Sequence, residues 1–188
     1  RLAKESKKRP VIIFTHDVAF TVLLLQAIEA SHIGLTLLTI QKRNNIPGFV
    51  SAGLPWDSMT TKKRIGWLRN RFQNEVCQAE KGTDEDYERE ISFCYSKLRA
   101  AWERAVEEVL FGGVIQRGDP AVHTQQLSKV SLVTDNDIVV ITAAMSKCSS
   151  ITEAHDNPCD SRPDLPSSDE FEKDVNELDS WVIDYRKR

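Results

Sequence analysis

Cysteine is scarce in this chain, and the four present (Cys77, Cys94, Cys148 and Cys159) include no pair at the C-x-x-C spacing of a zinc or redox motif. That argues against a disulfide framework and a structural zinc site, and for reduced thiols in a cytoplasmic protein. Long apolar runs are missing too. The longest, from Val18 to Ile28, is broken by Thr21 and Gln26. It falls short of the roughly 18 residues of a membrane span and lies too far inside to be a signal peptide, so no membrane partner is expected. Positive charge is not in excess: the net charge of −3 gives no global case for nucleic acid, while a local basic patch stays open. Neither an internal repeat nor a low-complexity tract is present. What remains is ordinary: 40% hydrophobic residues over 188 positions can bury a real core.

The pattern predicts a mixed α/β, mostly α chain. Val11-Ile12-Ile13-Phe14, behind Pro10, is a continuous apolar run that fits a strand buried on both faces of a parallel sheet. A helix over about Val18–Ala30 follows, apolar nearly all round and so expected to be buried. Leu35–Ile40 is a second strand candidate, Asn44–Gly48 has turn chemistry, and Phe49-Val50 can return as a short partner strand. Residues 1–53 thus read as a parallel-sheet remnant and residues 54–188 as a helical region.

In the helical region, Asp57 or Ser58 can cap a helix with Ile65, Leu68, Phe72 and Val76 on one face. Thr83 with Asp86 opens a long helix striped by Tyr87, Ile91, Cys94, Leu98, Ala101, Ala105 and Val109, ended by Gly112-Gly113. A brief strand is expected at Ile115, a short helix at Asp119-Pro120, another from Thr134 to about Ile151, and a loop over 154–167. Ser167 with Glu170 caps a last helix carrying Phe171, Val175, Leu178, Val182 and Tyr185 on one face. The chain opens Arg-Leu-Ala-Lys-Glu without Met, which reads as a helix end; the sequence is expected to be cut from something longer.

Thr15-His16-Asp17 stands at the carboxyl end of the first predicted strand, the place where open α/β sheets bind ligands. A His there can donate to a phosphate oxygen, and Asp17 can cap the next helix. The segment resembles the last sheet strand and switch-histidine loop of ABC/SMC-like ATPases, DNA-repair relatives included. The resemblance implies that His16 meets the γ-phosphate of ATP, with Asp17 beside it, in a head-to-head homodimer. It implies also that Arg1–Lys7 end the helix after the Walker B strand, and that an upstream part of the same ATPase supplies the magnesium ligands. The phosphate-cradling GxxxxGK[ST] loop, an Asp-Glu strand and a Ser-Gly-Gly signature do not occur in these 188 residues. ATP hydrolysis by this stretch alone is therefore not expected.

The helical region also resembles the C-terminal part of ABC-linked anticodon-nuclease proteins of bacterial anti-phage systems, which carry an Arg-xxx-Glu pair and a later His. The resemblance implies a metal-independent ribonuclease acting on tRNA, the His as general acid or base and the Arg stabilising phosphorane-like charge. Arg104 with Glu108 and His155 match best; Arg99 with Glu103, and His123, are the alternatives. Ala154 precedes His155 where the family often has Ser. The plainer reading of Arg and Glu four apart is a surface pair, and of the region a non-catalytic interaction module. Last, Lys62, Lys63, Arg64, Arg69 and Arg71, with Trp56 and Trp67 nearby, form a candidate contact for DNA or tRNA; the plainer reading is a solvated face.

Overall fold

Short polar side chains at Asp17, Thr60, Thr83 and Ser167 cap four of the helices in this computed structural model, which describes residues 1–43, 46–115, 121–153 and 165–188. The chain is mostly α with a minor β part. It divides into two compact units, one over Arg1–Met59 and one over the described residues from Thr60 onward.

The first unit begins with a helical turn, α1 (Leu2–Glu5). Asp17 then accepts the Phe20 N–H and starts α2 (Val18–Ala30) where the sequence placed it. His32, at φ 51, takes the left-handed position past the helix end, and Ile33 N–H donates back to Ile28 C=O. Strands β1 (Leu38–Arg43) and β2 (Ile46–Ala52) form an antiparallel hairpin. Leu38 and Ile40 face Ala52 and Val50 across it, giving one apolar face.

Two expectations for this unit are corrected. The sheet is antiparallel and lies at 38–52, not a parallel sheet through 11–14. Val11–Phe14 lies outside any strand, and no backbone hydrogen bond joins it to the other described residues. Nor is α2 buried: none of its residues is, since its chief neighbours in the unit are only α1 and a 3-10 turn at Trp56–Ser58.

The second unit is a helical bundle. Thr60, not Asp57 or Ser58, caps α3 (Thr61–Arg71), because the Trp56–Ser58 turn uses up the earlier positions. A π turn at Phe72–Val76 leads to the short α4 (Cys77–Ala79). Thr83 accepts the Asp86 N–H and donates to its carboxylate, starting α5 (Asp84–Ala105). A second π turn, Val106–Leu110, extends α5. Gly112 and Gly113, at φ 54 and 88, end it. A Cβ on Gly112 would sit 2.5 Å from Lys129 Cδ, so only glycine fits there.

Ile115 is exposed and forms no strand, and a long 3-10 segment at Thr124–Leu132 follows instead. The helix expected at Asp119-Pro120 lies outside the described residues. Then come α6 (Asp135–Glu153) and α7 (Ser168–Tyr185), the latter capped by Ser167 as expected.

The core of this unit is the striped faces meeting. Ile65 and Leu68 of α3, Ile91, Leu98 and Trp102 of α5, Cys148 of α6, and Phe171, Val175 and Leu178 of α7 are all buried. Each large apolar side chain contributes about 1.5–3 kcal/mol on burial. That packing is what holds α7, whose 18 residues are marginal alone.

Asp137, fully covered, ties α6 to the end of α7. Its carboxylate accepts from Trp181 Nε1 at 3.0 Å, from Thr134 N and Oγ1 at 2.9 and 2.7 Å, and from both Arg188 amino groups at 2.6 and 3.1 Å. Burial works to raise the Asp137 pKa; the donated bonds from Arg188, Thr134 and Trp181 outweigh it and lower the value below 3.8. A group lowered on folding stabilises above its unfolded pKa and loses that contribution as pH falls. In denaturant melts, the stability gap between wild type and Asp137→Asn is expected to narrow from about pH 6 to about pH 3. A gap that widens on acidification would contradict the network.

Candidate functional site

His16 lies just before α2, after the Val11–Phe14 segment. Thr15 Oγ1 accepts the Asp17 N–H at 3.0 Å, and Asp17 C=O accepts from Thr21 N and Oγ1. These bonds fix a tight turn that leaves His16 exposed beside the capped helix N-terminus. The Asp17 carboxylate is engaged as the cap, through the Phe20 N–H at 3.1 Å. An exposed imidazole next to the positive end of a 13-residue helix can donate to an anionic oxygen.

Before this turn the apolar side chains are out of place. Ile12 is 81% and Phe14 85% exposed, with Val11 and Ile13 half-buried between them. No hydrogen bond joins the 11–14 backbone to other described residues. On the hairpin, Leu38, Ile40 and Val50 are exposed as well.

Arg104 and Glu108 sit together on the second unit, both largely covered. Glu108 Oε2 accepts from Thr61 N and Oγ1 at 2.9 and 3.1 Å and lies 3.5 Å from Arg104 Nε; Oε1 accepts from Arg186 at 3.1 Å. Arg104 donates mainly to Glu107, at 2.8 Å. Glu108 thus cements the first turn of α3 to the π turn after α5 and the end of α7. Both its oxygens are occupied by structural donors, which leaves little of the carboxylate for proton transfer. Arg99 and Glu103 are an exposed pair at 3.7 Å. His155 lies outside the described residues. His123 is half-buried, its N–H donating to Val114 C=O.

The basic run splits. Arg64 is 1% exposed and donates to Ala100 C=O at 2.6 Å, so it belongs to the core and does not reach a ligand. Arg69 is paired with Asp179 and Asn176. Arg71 grips Glu90 with two bonds, and hydrogen bonding to Glu90 raises its pKa further. Lys62 and Lys63 are exposed, with no ion pair among the described residues. Trp56 belongs to the first unit and Trp67 to the second.

One cluster escaped the sequence. Lys147 of α6 bridges Asp174 and Glu170 of α7, both at 2.7 Å, and Tyr95 of α5 donates to Asp174 at 2.6 Å. It edges a cavity of about 180 Å³ walled by Leu98, Trp102 and Cys148. Burial pushes the Cys148 thiol up to about 12, so it is a packing residue and not a nucleophile. Sequence separation hid this cluster; only the buried face of α7, which carries Asp174 next to Val175, hinted at it.

Among the described residues, no group of three His, Cys, Asp or Glu could hold a metal ion, and no helix is long and apolar enough to cross a membrane. Comparison with family models, curated proteins and solved structures finds no match to this chain.

Proposed function

We propose that the first unit is the C-terminal part of the ATP-binding head of a cytoplasmic ABC/SMC-like ATPase, of a DNA-repair or phage-defence kind. In it His16 donates to the γ-phosphate of magnesium–ATP, across a head-to-head homodimer. The observation that carries this reading is the state of Val11–Phe14: an apolar segment without backbone hydrogen bonds to the other described residues, with Ile12 and Phe14 exposed, that leads into a Thr-His-Asp turn.

Apolar side chains on both faces of a strand suit a parallel sheet covered by helices on both sides. Unpaired edges are a liability unless another strand fills them. The upstream part of the same ATPase supplies such strands in this reading, along with the phosphate loop and magnesium ligands. The α2 N-terminus and His16 then face the nucleotide together, as donors for charge that develops in phosphoryl transfer. Exposed Leu38, Ile40 and Val50 are more of the surface that a complete head would cover.

The test is ATP turnover by the protein carrying this chain together with its ATP-binding portion, wild type against His16→Ala. Loss of turnover with binding retained is expected; unchanged turnover would reject the assignment.

A further inference from the structure

The cavity on the second unit is left by the way three helices meet. Both α6 and α7 pack on α5, and they make few close approaches to one another. Two polar ties span the gap instead. Lys147 binds Glu170 and Asp174 at one end, and Asp137 accepts from Trp181 Nε1 at the other. Residue numbers fall along α6 as they rise along α7, so positions 143–144 and 177 stand between the ties. The chain carries Ala143 and Ala144 there on α6, facing Glu177 on α7, and the space between them is not filled. It amounts to about 180 Å³, walled by Leu98, Trp102 and Cys148, each 1% exposed. Ala143 and Glu177 are exposed, so the gap opens to solvent on their side.

A void against large core side chains lowers stability. A longer apolar residue at 143 would close it without touching either tie. The chemistry of the mouth decides what the space suits. Lys147 and Asp174 satisfy each other, with Glu170 and the Tyr95 hydroxyl as further partners. Arg99 of α5, on the Cys148 side, is paired with Glu103, and Asp137 with Arg188. Lys173 stands one turn before Glu177, about 40° further round α7 from Asp174, and does not line the cavity. Glu177 makes no hydrogen bond or ion pair among the described residues. The lining thus holds two carboxylates, Asp174 and Glu177, against one ammonium, Lys147.

From this geometry we infer that the gap between α6 and α7 binds a small organic cation, a primary amine on a short aromatic or aliphatic body. The body lies over Leu98 and Trp102 between the alanines. Its ammonium donates to Glu177 at the mouth, a charge-assisted bond that displaces no existing partner. A cavity of about 150 Å³ lined by apolar side chains holds one benzene ring, so this space takes a body of that size. An anion of the same shape would face Glu177 and find Lys147 already committed. A peptide or nucleic-acid strand could not lie along the gap, because the ties span it at both ends. The inference does not depend on His16, and ATP plays no part in its test.

The experiment is an NMR titration of the isotope-labelled 188-residue chain with 2-phenylethylamine, followed through the amide shifts. Saturable shifts are expected at Ala143, Ala144, Cys148 and Glu177, while residues of the first unit stay still. Phenylacetate, which carries the opposite charge on the same ring, should not saturate over that range. Glu177→Gln is expected to weaken amine binding about two- to fivefold, the loss of one exposed charge pair. It should leave binding of the neutral 2-phenylethanol unchanged. Ala143→Leu should abolish binding of both. Positions 143 and 177 are exposed, and the spectra of the variants themselves show that they are folded. No saturable shift at the gap would overturn the inference. So would equal binding of phenylacetate, or amine binding indifferent to Glu177→Gln or to Ala143→Leu.

Discussion

His16→Ala is expected to cut ATP turnover by about 10²–10³-fold in the protein that joins this chain to its ATP-binding portion, the usual loss when one preorganised donor to developing charge is removed. ATP affinity should change far less, because in the proposed head the other phosphate contacts would be made elsewhere and would act in the ground state as well. A loss confined to turnover marks His16 as a group that meets the transferring phosphoryl oxygen. The side chain is exposed and its turn is held by Thr15 and Asp17. The variant therefore removes an imidazole without disturbing the fold. Equal losses in affinity and turnover would point to a binding contact alone, and no loss would remove His16 from the reaction.

Trp102→Ala carries the largest expected cost in stability. Trp102 is 1% exposed and packs on Trp181 at 5.6 Å, which in turn meets Tyr185 at 5.4 Å. Its removal adds to the cavity that already lies beside Cys148 and Lys147. Large-to-small changes at such sites cost about 3–5 kcal/mol, from lost burial and from a void that collapses only in part. For a unit of this size that is a fall of about 10–20 °C in Tm. Trp102→Phe keeps a ring against Trp181 and should cost less than half as much. A Trp102→Ala chain that melts within a degree or two of wild type would mean that α5 and α7 do not pack as described.

Legibility in the sequence follows the range of the interaction. Asp17, Thr83 and Ser167 start helices because their side chains reach N–H groups three residues on, a relation visible in any short window. The stripe from Phe171 to Tyr185 is buried as its spacing requires. Arg64 could have been found in the same way, since it falls with Thr61, Ile65 and Leu68 on the buried face of α3; its place in a basic run drew attention from that spacing. Glu108 could not. It bonds Thr61, 47 positions earlier, and nothing local distinguishes it from a surface carboxylate. The Tyr95–Asp174 bond spans 79 positions and was equally hidden.

The failure at Val11–Phe14 is of another kind. The apolar run was visible, but pairing belongs to the neighbour as much as to the strand, and within the described residues no backbone hydrogen bond reaches it. For His16, the sequence showed the local turn that the Thr15 and Asp17 bonds form.

Amide hydrogen exchange at residues 11–14 puts the account to its most direct test. In the 188-residue chain, these amides should exchange at nearly the rate of an unstructured peptide, while buried α5 amides around Leu98 and Trp102 stay protected. Joined to the ATP-binding portion, with magnesium–ATP present, residues 11–14 should become as slow as a central strand. Protection already complete in the isolated chain, or none in the joined protein, would contradict the strand-completed head and with it the place assigned to His16.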